Sequence, residues 1–331
     1  MSPMATNRSA RVFLTVPDRG SGSRASAARH TIVVIPAYNE ARFIGSVVLQ
    51  ARQHASKVIV VDDGSTDDTA SIAQAAGAEL LQNHTNLGKA AALSKGFVRA
   101  RKLAVRPGSP VKVVAVLDGD GQHQPAELPL LAAPILAGNA DLVVGSRFLG
   151  VKSHIPRWRI FGQQALTLAT NIGSGFRLTD SQSGFRAFSI QALQALDFEA
   201  DGFSVESEMQ FLAQEKGFRV VEVPIHAIYA EPAKRNPIHH GLTVVEGILK
   251  LVGQYRPMFY FGVPGVTLFL FGVGWGGLVV ERFSETGHLA VGYAMICLLL
   301  SIMGMILIST GFTLHSIRDL MLDLLRKRRG R

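Results

Sequence analysis

The sequence predicts an α/β protein: a doubly wound, mostly parallel sheet followed by two membrane-crossing helices. Three observations lead there. From Thr31 onward, continuous β-branched runs such as "TIVVIPAY" and "KVIVVDD" alternate with stretches of helical spacing, the pattern of strands covered on both faces by crossover helices. Near the C-terminus, "PMFYFGVPGVTLFLFGVGWGGLVV" and "LAVGYAMICLLLSIMGMILISTGFTL" carry no charge, and each exceeds the roughly 20 apolar residues that cross a hydrocarbon core. A hydrophobic content of 47% over 331 residues with one cysteine excludes both a disordered chain and a disulfide scaffold.

Taken in order, residues 1–30 mix arginine with serine, alanine and glycine and lack a long apolar core, so they read as a disordered basic leader and not a cleaved signal. Residues 31–230 form the α/β domain. Its strands are expected in "TIVVIPAY", "KVIVVDD", "ELLQN", "VKVVAVLD", "ADLVVGSRF", "FRAFSI" and "FRVVEVPI". Its helices are expected in "EARFIGSVVLQARQHA", "DDTASIAQAAGA", "GKAAALSKGFVRARKLA", "PRWRIFGQQALTLATNIGSG" and "GFSVESEMQFLAQEKG". Residues 231–256 read as a juxtamembrane amphipathic helix, 257–280 and 289–314 as the two spans, and 315–331 as a basic tail. Because lysine and arginine favour the cytoplasmic side, the tail "RKRRGR" places itself and the α/β domain in the cytosol, on a multi-pass protein of the cell (inner) membrane.

The formal charge of +9 sits in the leader, the juxtamembrane segment and the tail, a distribution that suits anionic lipid and argues against nucleic acid as a partner. Cys297 lies in an apolar run and reads as packing sulfur. "GVGWGG" fits a dinucleotide-binding fingerprint but sits inside a span with no strand before it. Gly272 and Gly276 instead fit small-residue helix packing, which admits a homo-oligomer.

Two carboxylate pairs fall at the ends of predicted strands, where open α/β sheets bind ligands: Asp62 with Asp63, and Asp118 with Asp120. Two carboxylates within one turn repel unless neutralised. Hard divalent cations such as Mg²⁺ or Mn²⁺ take oxygen ligands and leave positions for substrate phosphate, so this pair points to a metal bound together with a diphosphate. Gly119 and Gly121 let a ligand approach the backbone, and Gln122 adds an oxygen. A calcium-binding EF-hand loop is the rival, but it needs glycine where His123 stands and glutamate where Pro129 stands.

The segments "VVIPAYNE", "VVDDGSTDDT", "NLGKAAAL", "LDGDGQHQP", "VVGSRF" and "DSQSGFRAF", in this order and spacing, resemble a family 2 glycosyltransferase of the GT-A fold, and most of all its dolichol- or polyprenyl-phosphate sugar synthases. The resemblance spans roughly Thr31 to His226. It implies that Pro36, Ala37, Tyr38 and Glu40 form a first nucleotide-contacting loop, that Asp63 accepts from the base, and that Lys89 flanks the diphosphate. It implies further that Asp118, Gly119, Asp120 and Gln122 hold the metal and diphosphate, with Mg²⁺ or Mn²⁺ as cofactor. Arg147, Arg157, Arg159 and Ser183 match positions near the lipid phosphate, for which the planar donors of arginine are well suited. Asp180, Gln182 and Arg186 would lie beside the transfer point, with Asp120 the metal-side catalytic carboxylate.

The implied reaction moves a sugar from a UDP- or GDP-linked donor to a polyprenyl phosphate, with inversion. A polysaccharide synthase of the same fold carries Gln-x-x-Arg-Trp where this chain has "HIPRW", with His154 for the glutamine; another lipid acceptor and a non-catalytic membrane scaffold are the remaining alternatives. Relatives carry Gly-Glu-Ser-Lys where this chain has "AEPAKRN", which leaves the role of Lys234 and Arg235 open. Glu206 and Glu208 open a helix, where carboxylates favour the dipole in any protein.

Overall fold

The computed structural model describes residues 11–12, 27–150, 157–196, 205–227 and 257–329. The juxtamembrane helix expected over 231–256, with Lys234 and Arg235, lies outside the described residues, as does most of the leader. The chain divides into two compact units, residues 1–247 and 248–331.

In the first unit the strands are β1 (Arg11–Val12), β2 (Thr31–Ala37), β3 (Lys57–Asp62), β4 (Glu79–Gln82), β5 (Val113–Val116), β6 (Leu142–Ser146), β7 (Arg186–Ser189) and β8 (Val220–Pro224). The helices are α1 (Ile44–Ala51), α2 (Thr69–Ala75), α3 (Lys89–Ala104), α4 (Leu128–Leu136), α5 (Arg157–Ser174), α6 (Ile190–Ala195) and α7 (Val205–Glu215). The strands form one sheet in the order β1-β8-β6-β7-β5-β2-β3-β4. All seven predicted strands are present. Within the stretch read as a disordered leader, Arg11–Val12 pairs in parallel with Val221 and Glu222, and Ala27 is buried, so these residues depart from that expectation.

Side chains alternate across a strand, and in β2 both sets are apolar. Val33, Ile35 and Ala37 enter the core under α1 and α4, while Ile32 and Val34 enter the core under α3 and α7. Helix α4 is not among the elements that periodicity predicts, because Pro129 and Pro134 fall within it. Pro129 occupies the first turn, where its missing N–H costs nothing, and Leu128, Leu131 and Ile135 bury the apolar face.

One feature of the topology positions the site. Strand β7 runs antiparallel between β5 and β6, with Arg186 opposite both Val116 and Val144. An antiparallel strand begins at the rim where its parallel neighbours end. The loop before β7, "DSQSG", is therefore delivered to the same rim as Asp118 after β5 and Arg147 after β6.

The second unit contains a π-helical turn (Met258–Gly262), α8 (Val263–Thr286) and α9 (Val291–Arg329). Met258–Thr286 and Val291–Ile317 are long and apolar enough to cross a membrane, and only 11% of the most apolar window of each is buried. A helix pair in a soluble core would bury those faces. Both helices run past the predicted ends: α8 absorbs most of the expected linker before Gly287 closes it in the left-handed conformation, and α9 continues through the basic tail. The two pack backbone to backbone. A Cβ on Gly272 would lie 2.5 Å from Ser301 Oγ, and one on Gly304 would lie 2.5 Å from the Phe269 nitrogen. Gly272 thus joins the two helices of one chain.

Candidate active site

The loops after β2 and β3 are stitched together. Asn39 sits at φ 55°, which asparagine tolerates, and its Oδ1 accepts from the Thr66 N–H at 2.9 Å. The Asn39 N–H donates to Ser65 Oγ, and the Glu40 N–H to Thr69 Oγ1. This fixes residues 36–40 at the rim: Pro36 and Ala37 end β2 beside Val61 and Asp62, and the Tyr38 ring is exposed.

Asp63, expected to accept from the base, is engaged within the protein. Its Oδ1 accepts from Asn83 Nδ2 at 2.7 Å and the Leu87 N–H at 3.1 Å, and its Oδ2 from the Gly88 N–H at 2.7 Å. The side chain is buried and both oxygens hold the loop that leads into α3. These bonds set the start of α3, and hence Lys89.

At the end of β5, Asp118 Oδ1 lies 2.6 Å from Lys89 Nζ, and the same ammonium lies 2.8 Å from Glu206 Oε1. Burial works against the charge on Lys89, but Asp118 and then Glu206 outweigh it and hold its pKa above the ordinary lysine value. Burial likewise disfavours ionised Asp118 and Glu206, and the charge of Lys89 overcomes it in both, so both are held below the usual carboxylate range. Gly184 makes this cluster fit: a Cβ there would lie 2.5 Å from Asp118 Oδ2 and 3.0 Å from Lys89 Nζ. Asp120 has less relief. Its Oδ1 accepts from the Gln122 N–H at 3.0 Å, while burial and then the charge of Asp118 push its carboxyl up. A Cβ on Gly119 would meet the Ala37 and Ile44 side chains at 3.4 Å, so this turn sits close over the end of β2.

This pair fits a hard divalent cation: a carboxylate pushed up by burial and then by its neighbour's charge is stabilised by added positive charge, and Gln122, whose N–H donates to Asp120, carries a neutral side-chain oxygen two residues on. Among the described residues no three His, Cys, Asp or Glu side chains form a metal-holding group. Such an ion would draw its remaining ligands from Gln122, water and a phosphate. His123 is buried and its Nδ1 accepts from the Asp118 N–H at 3.4 Å; burial holds its pKa down.

The second half of the rim is a buried ionic scaffold. Arg147 clamps Asp180 through Nε to Oδ2 at 2.6 Å and Nη2 to Oδ1 at 2.8 Å, and its own N–H donates to Oδ2 at 3.1 Å. Asp180 is fully buried, and Glu222 Oε1 accepts from the Asp180 N–H at 3.1 Å and the Thr179 N–H at 2.8 Å. Arg186, 1% exposed, donates to three carbonyls: Ser183 at 2.9 Å, Glu206 at 2.8 Å and Ser181 at 2.6 Å. Burial draws its pKa down to about 10.

These contacts place the remaining expected site residues. Asp180 and Arg186, expected beside the transfer point as catalytic groups, are enclosed, and they hold Arg147 and the 181–184 loop in place. Ser183, expected at the lipid phosphate, is buried with its Oγ accepting from the Phe185 N–H. Gln182 is held by Nε2 donating to Ser181 Oγ at 2.8 Å and Ser207 Oγ at 2.9 Å. Arg147 keeps its place at the rim but with its guanidinium engaged by Asp180. Arg157 and Arg159 lie in the first turn of α5, and their side chains are outside the described residues. Gly184 and Glu206 are the residues that sequence reasoning missed or undervalued. The available signal was a lysine opening a helix, where the dipole is unfavourable unless anions face it.

Residues 32–196 match the sequence pattern of glycosyl transferase family 2. Over 221 residues the chain is 34% identical to the UDP-N-acetylglucosamine–dolichyl-phosphate N-acetylglucosaminyltransferase of Methanococcus voltae, covering 60% of this chain and 86% of that one. The chain belongs to glycosyl transferase family 2. Within the family it is also 34% identical, over 212 residues, to the undecaprenyl-phosphate mannosyltransferase of Micrococcus luteus, covering 60% of this chain and 84% of that relative. Among solved structures, glucosyl-3-phosphoglycerate synthase of Mycobacterium tuberculosis with Mn²⁺, UDP and glucosyl-3-phosphoglycerate aligns with a TM-score of 0.55 at 25% identity, over 74% of this chain and 88% of that one. The α/β unit of this family 2 member therefore has the GT-A fold, and its similarity lies with the polyprenyl-phosphate sugar synthase group.

Proposed function

We propose that the protein transfers a sugar from a UDP- or GDP-linked donor to a polyprenyl phosphate, in one inverting displacement assisted by Mg²⁺ or Mn²⁺. The observation that carries the reading is the Asp118–Asp120 pair at the rim, with Lys89 against one carboxylate and Asp120 pushed up beside it. Asp118, Asp120 and Gln122 would hold the cation, whose chemistry is neutralisation of the departing diphosphate. Lys89 brings a second positive charge to the same place. The loops at 36–40 and 63–66 form the floor on which a nucleotide would lie, with the exposed Tyr38 ring as its stacking face.

A phosphate acceptor is ionised near neutral pH, so no strong general base is needed, and positioning with charge neutralisation is what the protein must supply. Arg147, fixed at the rim by Asp180, and Arg157 and Arg159, by their positions in the sequence, are the residues we assign to the acceptor phosphate. The relatives named for dolichyl- and undecaprenyl-phosphate transfer, and the two helices long enough to cross a membrane, support a lipid acceptor. The basic tail supports a cytoplasmic face for the α/β unit.

The test is incubation of the purified chain with undecaprenyl phosphate and a panel of radiolabelled UDP- and GDP-sugars, followed by organic extraction and assignment of the anomeric configuration of the product. One donor should yield a phospholipid-linked sugar of inverted configuration. Label recovered only as free sugar with every donor would refute the reading.

A further inference from the structure

Lys89 is gripped by carboxylates from two different parts of the fold. Asp118 leaves β5, and Glu206 opens α7, where Arg186 Nη1 donates to the Glu206 carbonyl at 2.8 Å. The Glu206 end of the cluster is therefore anchored in the core. Gly184 clears the space in which the Asp118 carboxylate and the ammonium meet. Because one ammonium serves two anions, 2.6 Å and 2.8 Å away, each anion limits how fully the other is neutralised. Asp118 also faces Asp120, so a divalent cation at that pair and the Lys89 ammonium act on one carboxylate with the same sign of charge.

We infer that Glu206 is a positioning residue: by drawing Lys89 partly off Asp118, it sets how strongly the Asp118–Asp120 pair binds a divalent cation. This rests on the metal-assisted reading above. Without Lys89, no tethered cation competes for Asp118, and the divalent ion binds more tightly. Without the Glu206 charge, Lys89 is left wholly to Asp118, and the divalent ion binds more weakly. The two variants thus move in opposite directions, whereas loss of a merely structural contact would weaken binding in both.

The experiment is a Mn²⁺ titration of the full chain in detergent, without nucleotide or lipid, reading free Mn²⁺ by electron paramagnetic resonance. Lys89→Met should tighten the Mn²⁺ Kd about tenfold and Glu206→Gln should weaken it about threefold, the scale of a partly screened charge at contact distance. In the Lys89→Met background, Glu206→Gln should shift the Kd by less than about twofold, since it acts through the lysine. Wild-type binding with shifts of the same sign, with no shift, or with an undiminished Glu206 effect in the double variant overturns the inference and leaves the metal-assisted reading standing. Absence of Mn²⁺ binding in the nucleotide-free wild type overturns the inference, while the metal-assisted reading is judged separately by the metal dependence of transfer. Lys89→Gln and Glu206→Met repeat the two directions should either first-choice variant fail to fold by circular dichroism.

Discussion

Gly184→Ala is the smallest change that probes the assembled rim. The methyl carbon would lie 2.5 Å from Asp118 Oδ2 and 3.1 Å from Asp118 Cγ, roughly 0.9 Å inside the 3.4 Å where ordinary contact begins. Gly184 does not have a positive φ, so alanine meets no backbone strain, and the cost falls on what the methyl touches. That is the end of a side chain, able to swing, so the fold should survive with a loss of about 1 kcal/mol. The Asp118 carboxylate, however, would move by close to 1 Å from Lys89 and from the Asp120 pair. A misplacement of that size costs on the order of 100-fold in rate, or about 2.7 kcal/mol of transition-state stabilisation. Transfer of labelled sugar into the organic phase, measured beside thermal unfolding of the same detergent-solubilised sample, separates the two effects. Transfer within about threefold of wild type, with an intact melting transition, would show that the placement of Asp118 does not matter to turnover.

Three further perturbations test the scaffold. Arg186→Met strips donors from the Ser181, Ser183 and Glu206 carbonyls, and should cost about 3 kcal/mol or more in thermal stability; an unchanged melting temperature would contradict the scaffold role. Burial holds the Glu222 carboxyl above its ordinary value of 4.5, and a group raised on folding gives its full contribution below the unfolded pKa and loses it as pH rises through the folded one. Glu222→Gln, whose Oε1 can keep the bonds from Thr179 and Asp180, should therefore melt higher than wild type at neutral pH and lose that advantage below about pH 4.5. Gly304→Leu forces a side chain against the backbone of Phe269 and Gly265, so the apolar hairpin should melt earlier, while nucleotide binding by the α/β unit is retained.

How much of this was legible in the sequence follows from what is local and what is not. The buried strands announce themselves because residues such as Val33, Val34, Val60 and Val61 are apolar on both faces, and Asp118 and Asp120 announce the rim because charges end an apolar run. Helix α4 was hidden by its prolines, which propensity counts as breakers although the core contacts of Leu128 and Leu131 override them. The direction of β7 was hidden because pairing partners far apart in sequence leave no periodic mark. The charged side chains were the hardest to place. Asp63, Asp180 and Arg186 read as ligand contacts because they are polar residues in the right loops; that their buried atoms also bind Asn83, backbone groups and Arg147 is something only the folded structure reveals. Glu206 shows the converse: an ordinary helix-opening carboxylate by sequence, it becomes a partner of Lys89 117 residues away.

The most direct test of the central claim, that the Asp118–Asp120 pair carries a cation-assisted sugar transfer to a lipid phosphate, is the metal dependence of that transfer in wild type and in Asp120→Ala. Organic-extractable label should form with Mg²⁺ or Mn²⁺, vanish in excess chelator, return on adding metal back, and be absent from a folded Asp120→Ala protein under every condition. Equal label in chelator, or turnover by Asp120→Ala near the wild-type rate, would contradict it.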